Sequence, residues 1–397
     1  MERSELVELL TADGLRLLDS LPPYPSKDEA VRLVGRLRNE GHSPALVAAV
    51  LTQSRLRHKA VGKFGPFADR MLFTEAGLEQ ATRLPVAALH AGRFARAGLT
   101  RVADLGSGIG ADSMAMASLD LAVTAVDIDE VTAAIASYNL APFPSATVRN
   151  EAAEDVALEE FDAVWFDPAR RTAGHVDTSR LASAADYTPS LDTVFATAGR
   201  LPVGVKLGPG FDRSLIPDEA EAQWVSVDGQ LVEMTLWFGP LARPGVRRAA
   251  LLLADGVHHE LTADGDADDA PVRDLGAYVH EPDGSVIRAR LIGDLAVRLE
   301  AGMLGQGIAY LTSDSATTSP FASTFRVLER LPMDEKTLKR TMRERGIGVL
   351  EIKKRGVDID PAAFRKRLAL RGDRSATIIL TRIAGKHSAL LVERVGH

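Results

Sequence analysis

The sequence of 397 residues predicts an α/β protein with a mostly parallel sheet, a helical segment before the sheet and a small α+β unit after it. Up to about residue 95, apolar residues recur mainly at three- and four-residue steps, which is typical of helices. Short apolar runs then alternate with helical stretches to about residue 238, which favours parallel strands covered by helices on both faces. We therefore expect four domains: a helical domain at 1–95, a sheet domain at 96–240, a connecting subdomain at 241–324 and a basic α+β domain at 325–397.

Helix-breaking residues and a turn signal mark the ends of elements within the first two domains. Pro22-Pro23 and the stretch from Gly41 to Pro44 interrupt the helical segment. The expected strands of the sheet lie at 101–105, 122–126, 146–149, 163–166 and 203–207. The dipeptide Asp228-Gly229, a strong turn signal, predicts that 223–227 and 231–238 form a hairpin at the end of the sheet.

The remaining residues give weaker patterns. Residues 240–325 contain Pro240, Pro244 and an acidic stretch at 264–269, which indicate loops around a few short elements. The last domain is predicted to contain helices at 335–345 and 361–368 and strands at 348–353 and 377–381.

Composition excludes several kinds of chemistry. The chain has no cysteine, which removes disulfides, thiolate zinc ligands and cysteine nucleophiles. Its nine histidines are scattered without HExxH spacing, so no metal site is expected. No apolar stretch approaches the roughly 18 residues that span a bilayer, and the first residues do not resemble a secretion signal. We expect a cytoplasmic protein without membrane contact.

The charge is unevenly distributed. Residues 325–397 carry 18 Lys and Arg against 9 Asp and Glu, whereas the rest of the chain carries 29 against 45. The basic domain is suited to contact nucleic acid, although a solvated charged surface would have the same composition. A second basic stretch, Arg55 to Lys63, could line a substrate entrance or form an ordinary solvated helix face.

A glycine-rich turn follows the first predicted strand. Asp104 lies two residues before Gly106, which begins the GxGxG run Gly106-Ser107-Gly108-Ile109-Gly110. Small residues let a ligand approach the backbone, and a helix N-terminus offers unpaired N–H groups. The spacing is not the GxGxxG of dinucleotide-binding folds, and the carboxylate of Asp104 favours a cationic or zwitterionic ligand over a pyrophosphate.

Further acids follow the next two strands. Asp127, after the second strand, is suited to bind two ribose hydroxyls, and Glu154 and Asp155, after the third, could accept a hydrogen bond from an adenine amine. This arrangement resembles the class I S-adenosylmethionine (SAM)-dependent methyltransferases over residues 100–240. The resemblance implies a Rossmann-like sheet that binds SAM: Asp104, Gly106, Ser107 and Gly108 at the methionyl end, Asp127 at the ribose, and Glu154 and Asp155 at the adenine. Ile128, next to Asp127, is a further expected cofactor-binding residue.

The whole chain resembles a narrower family. The stretches FTEAGLEQAT (Phe73 to Thr82), FDPARR, VKLGPG, LTSD and LEIKKRG resemble the bacterial methyltransferases with a C-terminal THUMP-like domain. THUMP domains belong to RNA-modifying enzymes, so the resemblance implies RNA as the partner, bound by the basic C-terminal and helical N-terminal domains. Thr74 is expected at the border of the pocket on this resemblance alone.

The fourth predicted strand runs into Asp167-Pro168-Ala169-Arg170, where ligands of open α/β sheets bind. The position matches the (Asp/Asn)-Pro-Pro-aromatic motif of amino-methylating families, in which the acid and the following carbonyl orient an exocyclic amine. We therefore expect Asp167, Pro168 and Arg170 to be catalytic, although Asp-Pro is also an ordinary turn starter.

The sequence departs from that motif at Ala169 and Arg170. Asp-Pro-x-Arg also occurs in uridine C5 methyltransferases, which need a cysteine, so a purine or amino nitrogen is the better acceptor. Arg170 could stack on a base or bind a phosphate, and Arg171 is a further candidate for substrate binding. Lys206, at the end of the fifth strand, could contact a phosphate or be a strand-end lysine that reaches solvent. A methyltransferase for a protein or small molecule, and a non-catalytic protein that binds SAM and RNA, remain open.

Overall fold

The computed structural model describes residues 1–22, 27–170 and 187–396, without the side chains of residues 27, 28, 30 and 170. The helices are α1 Arg3–Leu9, α2 Ala12–Ser20, α3 Lys27–Asn39, α4 Pro44–Phe64, α5 Glu75–Gln80, α6 Leu84–Arg96, α7 Ala111–Ala117, α8 Glu130–Leu140, α9 Leu191–Ala198, α10 Gly284–Arg288, α11 Ile292–Arg298, α12 Glu335–Glu344 and α13 Pro361–Leu368. The strands are β1 Arg101–Leu105, β2 Ala122–Val126, β3 Ala146–Arg149, β4 Ala163–Phe166, β5 Ala169–Arg170, β6 Tyr187–Thr188, β7 Val203–Leu207, β8 Glu221–Val227, β9 Gln230–Trp237, β10 Arg248–Ala254, β11 Val257–Ala263, β12 Tyr278–Pro282, β13 Gly302–Met303, β14 Leu311–Ser313, β15 Ala322–Pro332, β16 Ile347–Lys354, β17 Arg374–Ile383 and β18 Lys386–Arg394.

The chain divides into two compact units. The first contains Met1–Leu207 and Trp237–Ala242, and the second contains Gly208–Leu236 and Arg243–His397.

The first unit begins with the predicted helical segment. Thr11, Ser43 and Thr74 precede α2, α4 and α5, and the side chain of each accepts a hydrogen bond from a backbone N–H in the first turn of its helix. The long helix α4 begins with Pro44, whose fixed φ suits the first turn of a helix. Its apolar residues pack into a core with those of α1 to α3 and reach the glycine-rich turn at Ile109.

The sheet of the first unit confirms the predicted parallel strands. They run in the order β3-β2-β1-β4-β7, and every neighbouring pair is parallel. Strand β4 is buried throughout, and the ring of Trp165 lies 4.6 Å from that of His90 on α6. Because β1 lies between β2 and β4, the chain order reverses beside it, and ligands of such sheets bind at this point.

The second unit begins with the predicted hairpin. Asp228 and Gly229 join β8 to β9 with φ values of 50° and 74°, as a type I′ turn requires. The loops expected at 240–325 contain more regular structure than predicted. Asp255 and Gly256 form a second turn of this kind, with φ values of 51° and 74°, so that β10 and β11 pair antiparallel.

The rest of the second unit is built around a seven-stranded sheet with the order β13-β14-β12-β15-β18-β17-β16. The four strands β15 to β18 belong to the basic region, where the sequence predicted two. Strands β12 to β14, from the region expected to be irregular, lie in the same sheet because β12 pairs with β15. Helices α12 and α13 cover one face through Leu338, Met342 and Phe364.

Among the described residues, no helix has the length and apolar character needed to cross a membrane.

Candidate active site

The glycine-rich turn after β1 has a backbone that favours glycine. Gly106, Gly108 and Gly110 have φ values of 87°, 55° and 85°, and Gly110 leads into α7. The N–H groups of Gly106 and Ser107 both donate to the carbonyl of Val126, at 2.9 Å. The turn is therefore fastened to the end of β2.

Asp104 is buried beneath this turn. Its Oδ2 accepts a hydrogen bond from Ser113 Oγ at 2.5 Å, while Oδ1 has no hydrogen-bond partner among the described residues. Burial, reinforced by the charge of Asp112, raises the pKa of Asp104 to about 8. Ser107 Oγ is likewise buried without a partner in the described part of the chain. Two unsatisfied polar atoms at one turn fit the amino and carboxyl groups of a methionyl ligand.

Asp127 follows β2 and turns its carboxylate toward the glycine-rich turn. Oδ2 accepts from the N–H of Gly108 at 3.0 Å, and Oδ1 accepts from the N–H of Asp129 at 2.9 Å. Burial raises the pKa of Asp127. The side chain is partly exposed and each oxygen can accept a further hydrogen bond, which fits a ribose. Ile128 beside it is 69% exposed, an apolar surface that could pack on a ligand.

The acids expected at the adenine follow β3 at the predicted spacing, because β3 ends at Arg149 as the sequence predicted. Glu154 and Asp155 are exposed in the short 3-10 helix Ala153–Asp155. Glu151, which was not among the predicted cofactor residues, is the second residue after β3, and its buried Oε1 lies 3.8 Å from Nη1 of Arg149. Its place two residues after the strand makes Glu151 a further candidate for a ligand contact, because ligands bind at the carboxyl ends of the strands.

The loop after β4 that is expected to bind the acceptor, Asp167 to Arg170 (the acceptor loop), lies directly against the glycine-rich turn. The N–H of Asp167 donates to the carbonyl of Leu105 at 3.1 Å. A Cβ atom added to Gly106 would lie 2.7 Å from the carbonyl oxygen of Asp167, so only glycine allows this approach. Pro168 is buried, and the backbone of Arg170 pairs with Tyr187. The side chain of Arg170 and the whole of Arg171 lie outside the described residues.

Lys206 is buried and does not extend to solvent. Its Nζ lies 2.5 Å from Asp167 Oδ2, 3.1 Å from Thr82 Oγ1 and 3.3 Å from the carbonyl oxygen of Gln80. The alternative that Lys206 is a strand-end lysine reaching solvent is therefore wrong, because three oxygen atoms hold its ammonium inside the protein. Its contact with a substrate phosphate stays a prediction.

Thr74 begins α5 beside the glycine-rich turn. A Cβ atom added to Gly77, in the first turn of α5, would lie 2.5 Å from Ile109 Cγ2. The segment before Thr74 is fixed by Gln53, whose amide exchanges two hydrogen bonds with the backbone of Phe73, at 2.7 and 3.0 Å. Thr74 thus begins a helix that packs on the glycine-rich turn, and its place at the border of a pocket stays a prediction.

The basic stretch from Arg55 to Lys63 is largely used within the protein. Arg55 and Lys59 form ion pairs with Glu75, and Lys63 donates to the carbonyls of Leu78, Glu79 and Ala81 at the end of α5. These contacts hold α5 in place. No group of three or more potential metal ligands occurs in the parts of the chain that the structure describes.

Comparisons with known proteins agree with this geometry. A family described as THUMP domain-like matches residues 322–394, and a domain of unknown function (DUF8688) matches residues 2–60. Uncharacterized S-adenosylmethionine-dependent methyltransferases from two strains of Mycobacterium tuberculosis, CDC 1551 and H37Rv, are each 35% identical over 358 residues, which cover 88% of this chain and 95% of the relative. A crystal structure of a protein from Porphyromonas gingivalis W83, assigned as a methyltransferase, has a TM-score of 0.70 at 20% identity and covers 94% of this chain and 100% of its own. This structural likeness shows a shared fold.

Proposed function

The chain belongs to the SAM-dependent methyltransferases, and from that membership we propose that it methylates a nitrogen atom of an RNA base. The predicted family, its THUMP-like C-terminal domain, the Rossmann-like fold and SAM as the cofactor are confirmed. The acceptor and the roles of individual residues are proposals.

One observation carries the proposal for a nitrogen acceptor. The acceptor loop, Asp167 to Arg170, packs on the glycine-rich turn so closely that a Cβ atom on Gly106 would meet the Asp167 carbonyl. In this proposal, the Asp167 carboxylate and the Pro168 carbonyl accept hydrogen bonds from an amine. Fixing the amine in this way removes its orientational freedom before the transfer. The entropy lost in aligning two reactants is a large part of the barrier to their reaction.

The proposed place of the cofactor is supported by two buried atoms without a hydrogen bond among the described residues, Asp104 Oδ1 and Ser107 Oγ, and by the partly exposed carboxylate of Asp127. We assign Asp104 and Ser107 to its methionyl end, where Gly106 and Gly108 let it approach the backbone, and Asp127 to the ribose hydroxyls. When bound, SAM supplies an electrophilic methyl group on a sulfonium. Ile128 would pack on the adenine ring. The exocyclic amine of the adenine would donate to Glu151 or to the exposed pair Glu154 and Asp155.

Two features support RNA as the acceptor. The match to the THUMP-like family covers the last strands and helices, and residues 325–397 carry an excess of nine positive charges. Lys336, Lys339 and Arg343 are exposed along α12, where they can contact phosphates. We assign Arg170, Arg171 and Lys206 to the substrate side of the site and place the activity in the cytoplasm, where unmodified RNA is available.

Transfer of radiolabelled methyl from SAM tests the proposal. Total RNA and total protein from a strain lacking the gene serve as acceptors, and Asp167→Ala is compared with the wild type. Label in RNA that is lost in Asp167→Ala supports both the acceptor and the loop. Label in protein alone refutes RNA as the acceptor. Label in neither RNA nor protein also refutes it, and leaves a small-molecule acceptor or a protein that binds SAM without catalysis.

A further inference from the structure

A series of buried polar contacts joins the acceptor loop to the N-terminal helices. It starts at Asp167, whose Oδ2 lies 2.5 Å from the ammonium of Lys206 on β7. The same ammonium contacts Thr82 Oγ1, in the connection between α5 and α6, and the carbonyl of Gln80 at the end of α5. An ammonium has three N–H groups, so each of these oxygens can receive one.

The series continues beyond Thr82. Thr82 Oγ1 lies 2.6 Å from Asp112 Oδ2, and Asp112 Oδ1 lies 2.9 Å from His90 Nδ1. The ammonium of Lys206 can only donate, so the Thr82 hydroxyl accepts from it and donates to Asp112. Burial acts to raise the pKa of Asp112, but the contacts with His90 and the charge of Lys206 outweigh it and lower the pKa. Asp112 is therefore an ionised acceptor that fixes the direction of the Thr82 hydroxyl.

The helix α5, which Lys206 contacts through Gln80, is itself held firmly in place. Lys63 donates to three carbonyls at the C-terminus of α5, at 2.7 to 2.8 Å, and Gly77 packs on Ile109 of the glycine-rich turn. A side chain attached to α5 is consequently fixed relative to the cofactor-binding residues. Lys206 extends that fixed position to Asp167.

We propose that Lys206 and Thr82 are positioning residues that attach the Asp167 carboxylate to α5 and so orient it toward the acceptor. The proposal rests on the function proposed above, in which Asp167 receives the acceptor amine. The ammonium holds Oδ2, and the carboxylate fixed in this way is the group that accepts a hydrogen bond from the acceptor amine in the proposed function. It also supplies a positive charge near Asp112 and Asp167, the two carboxylates whose negative charges raise the pKa of Asp104.

The contact can be broken at a residue that does not touch the acceptor. Thr82→Val keeps the shape of the side chain but removes the hydroxyl, whereas Thr82→Ser keeps the hydroxyl and is the matched control. Lys206→Met breaks the contact from its centre. All variants are made in the full-length chain.

Amide hydrogen exchange, followed by mass spectrometry, measures the attachment without any acceptor. In Thr82→Val and Lys206→Met, we expect peptides covering 163–170 and 75–82 to exchange about tenfold faster, since local opening no longer breaks these hydrogen bonds. Thr82→Ser should stay within about twofold of the wild type. Single-turnover transfer to unmethylated RNA should slow about tenfold or more in the first two variants, with unchanged SAM affinity.

The outcomes separate the two proposals. Unchanged exchange in both Thr82→Val and Lys206→Met overturns the positioning role, as does faster exchange spread evenly over the chain, including β17, because the contacts would then serve general stability. Faster exchange confined to the two segments, with no methyl transfer to RNA by the wild type, refutes RNA as the acceptor while the attachment of Asp167 to α5 stands.

Discussion

Gly106→Ala tests how closely the acceptor loop and the cofactor-binding turn approach each other. The φ of Gly106 is 87°, and a left-handed backbone costs a residue with a Cβ about 1–2 kcal/mol. The new Cβ would lie 2.7 Å from the carbonyl oxygen of Asp167, whereas ordinary contacts begin at 3.4 Å, so this oxygen must move by about 0.7 Å. A misplacement of about 1 Å can cost about 100-fold in rate, and we therefore expect methyl transfer to fall about 10- to 100-fold.

Gly108→Ala is the matched control. Gly108 also has a positive φ, 55°, but nothing lies within 4 Å of its added Cβ, so this variant introduces backbone strain without displacing the loop. Thermal unfolding, calorimetric SAM binding and single-turnover transfer are measured on both variants. Because both glycines are assigned to the cofactor, transfer is compared at saturating SAM, where equal rates in Gly106→Ala and Gly108→Ala would show that transfer does not depend on the space between Gly106 and the Asp167 carbonyl.

Three further changes test the cofactor residues and the RNA surface. Asp127→Ala should weaken SAM binding about tenfold or more in calorimetry, because the ribose hydroxyls lose a partly buried acceptor, and unchanged affinity would contradict the ribose assignment. Asp104 has a pKa of about 8 in the free protein, so binding of a cationic group releases its proton at neutral pH. SAM affinity should therefore rise between about pH 6 and 8, by at most about tenfold per unit, and level off above, whereas Asp104→Asn should remove this slope. Replacing Lys336, Lys339 and Arg343 together by Gln should weaken RNA binding and reduce its salt slope by up to about 2–3, and an unchanged slope would exclude α12 from the RNA surface.

Much of the sheet could be predicted because its signals are local. The apolar run of β4 ends at Asp167, and the turn at Asp228-Gly229 needs only two residues with positive φ. The same signal at Asp255-Gly256 was overlooked because the surrounding prolines and acids indicated loops. Strands β12 to β14 could not be predicted with confidence because they are two to five residues long and depend on pairing with distant β15.

The site was predictable at its strand ends and not at its contacts. Asp104 and Asp127 could be predicted as cofactor residues because the end of a parallel strand lies at the ligand edge of the sheet, and the structure has both at strand ends beside the glycine-rich turn. The partners of Lys206 were not, because Gln80 and Thr82 lie more than 120 residues earlier in the chain, and a sequence gives no measure of that proximity. Glu151 was not considered as a candidate because two adjacent acids farther along, Glu154 and Asp155, gave the stronger pattern.

The charges around Asp167 also bear on which acceptor the site suits. Asp167 is already paired with Lys206. The acceptor loop therefore offers an incoming amine a hydrogen-bond acceptor whose negative charge is largely balanced by the ammonium. A protein lysine arrives as an ammonium, must lose a proton before its nitrogen can attack, and would face the ammonium of Lys206 at close range. The exocyclic amine of a base arrives uncharged with its two N–H groups in a plane, which suits one bond to Asp167 and one to the Pro168 carbonyl. The balance of charge therefore supports the proposed nucleobase acceptor over a lysine side chain. In Lys206→Met, the rate of methyl transfer to RNA and the rate of transfer to protein lysines should differ less than in the wild type.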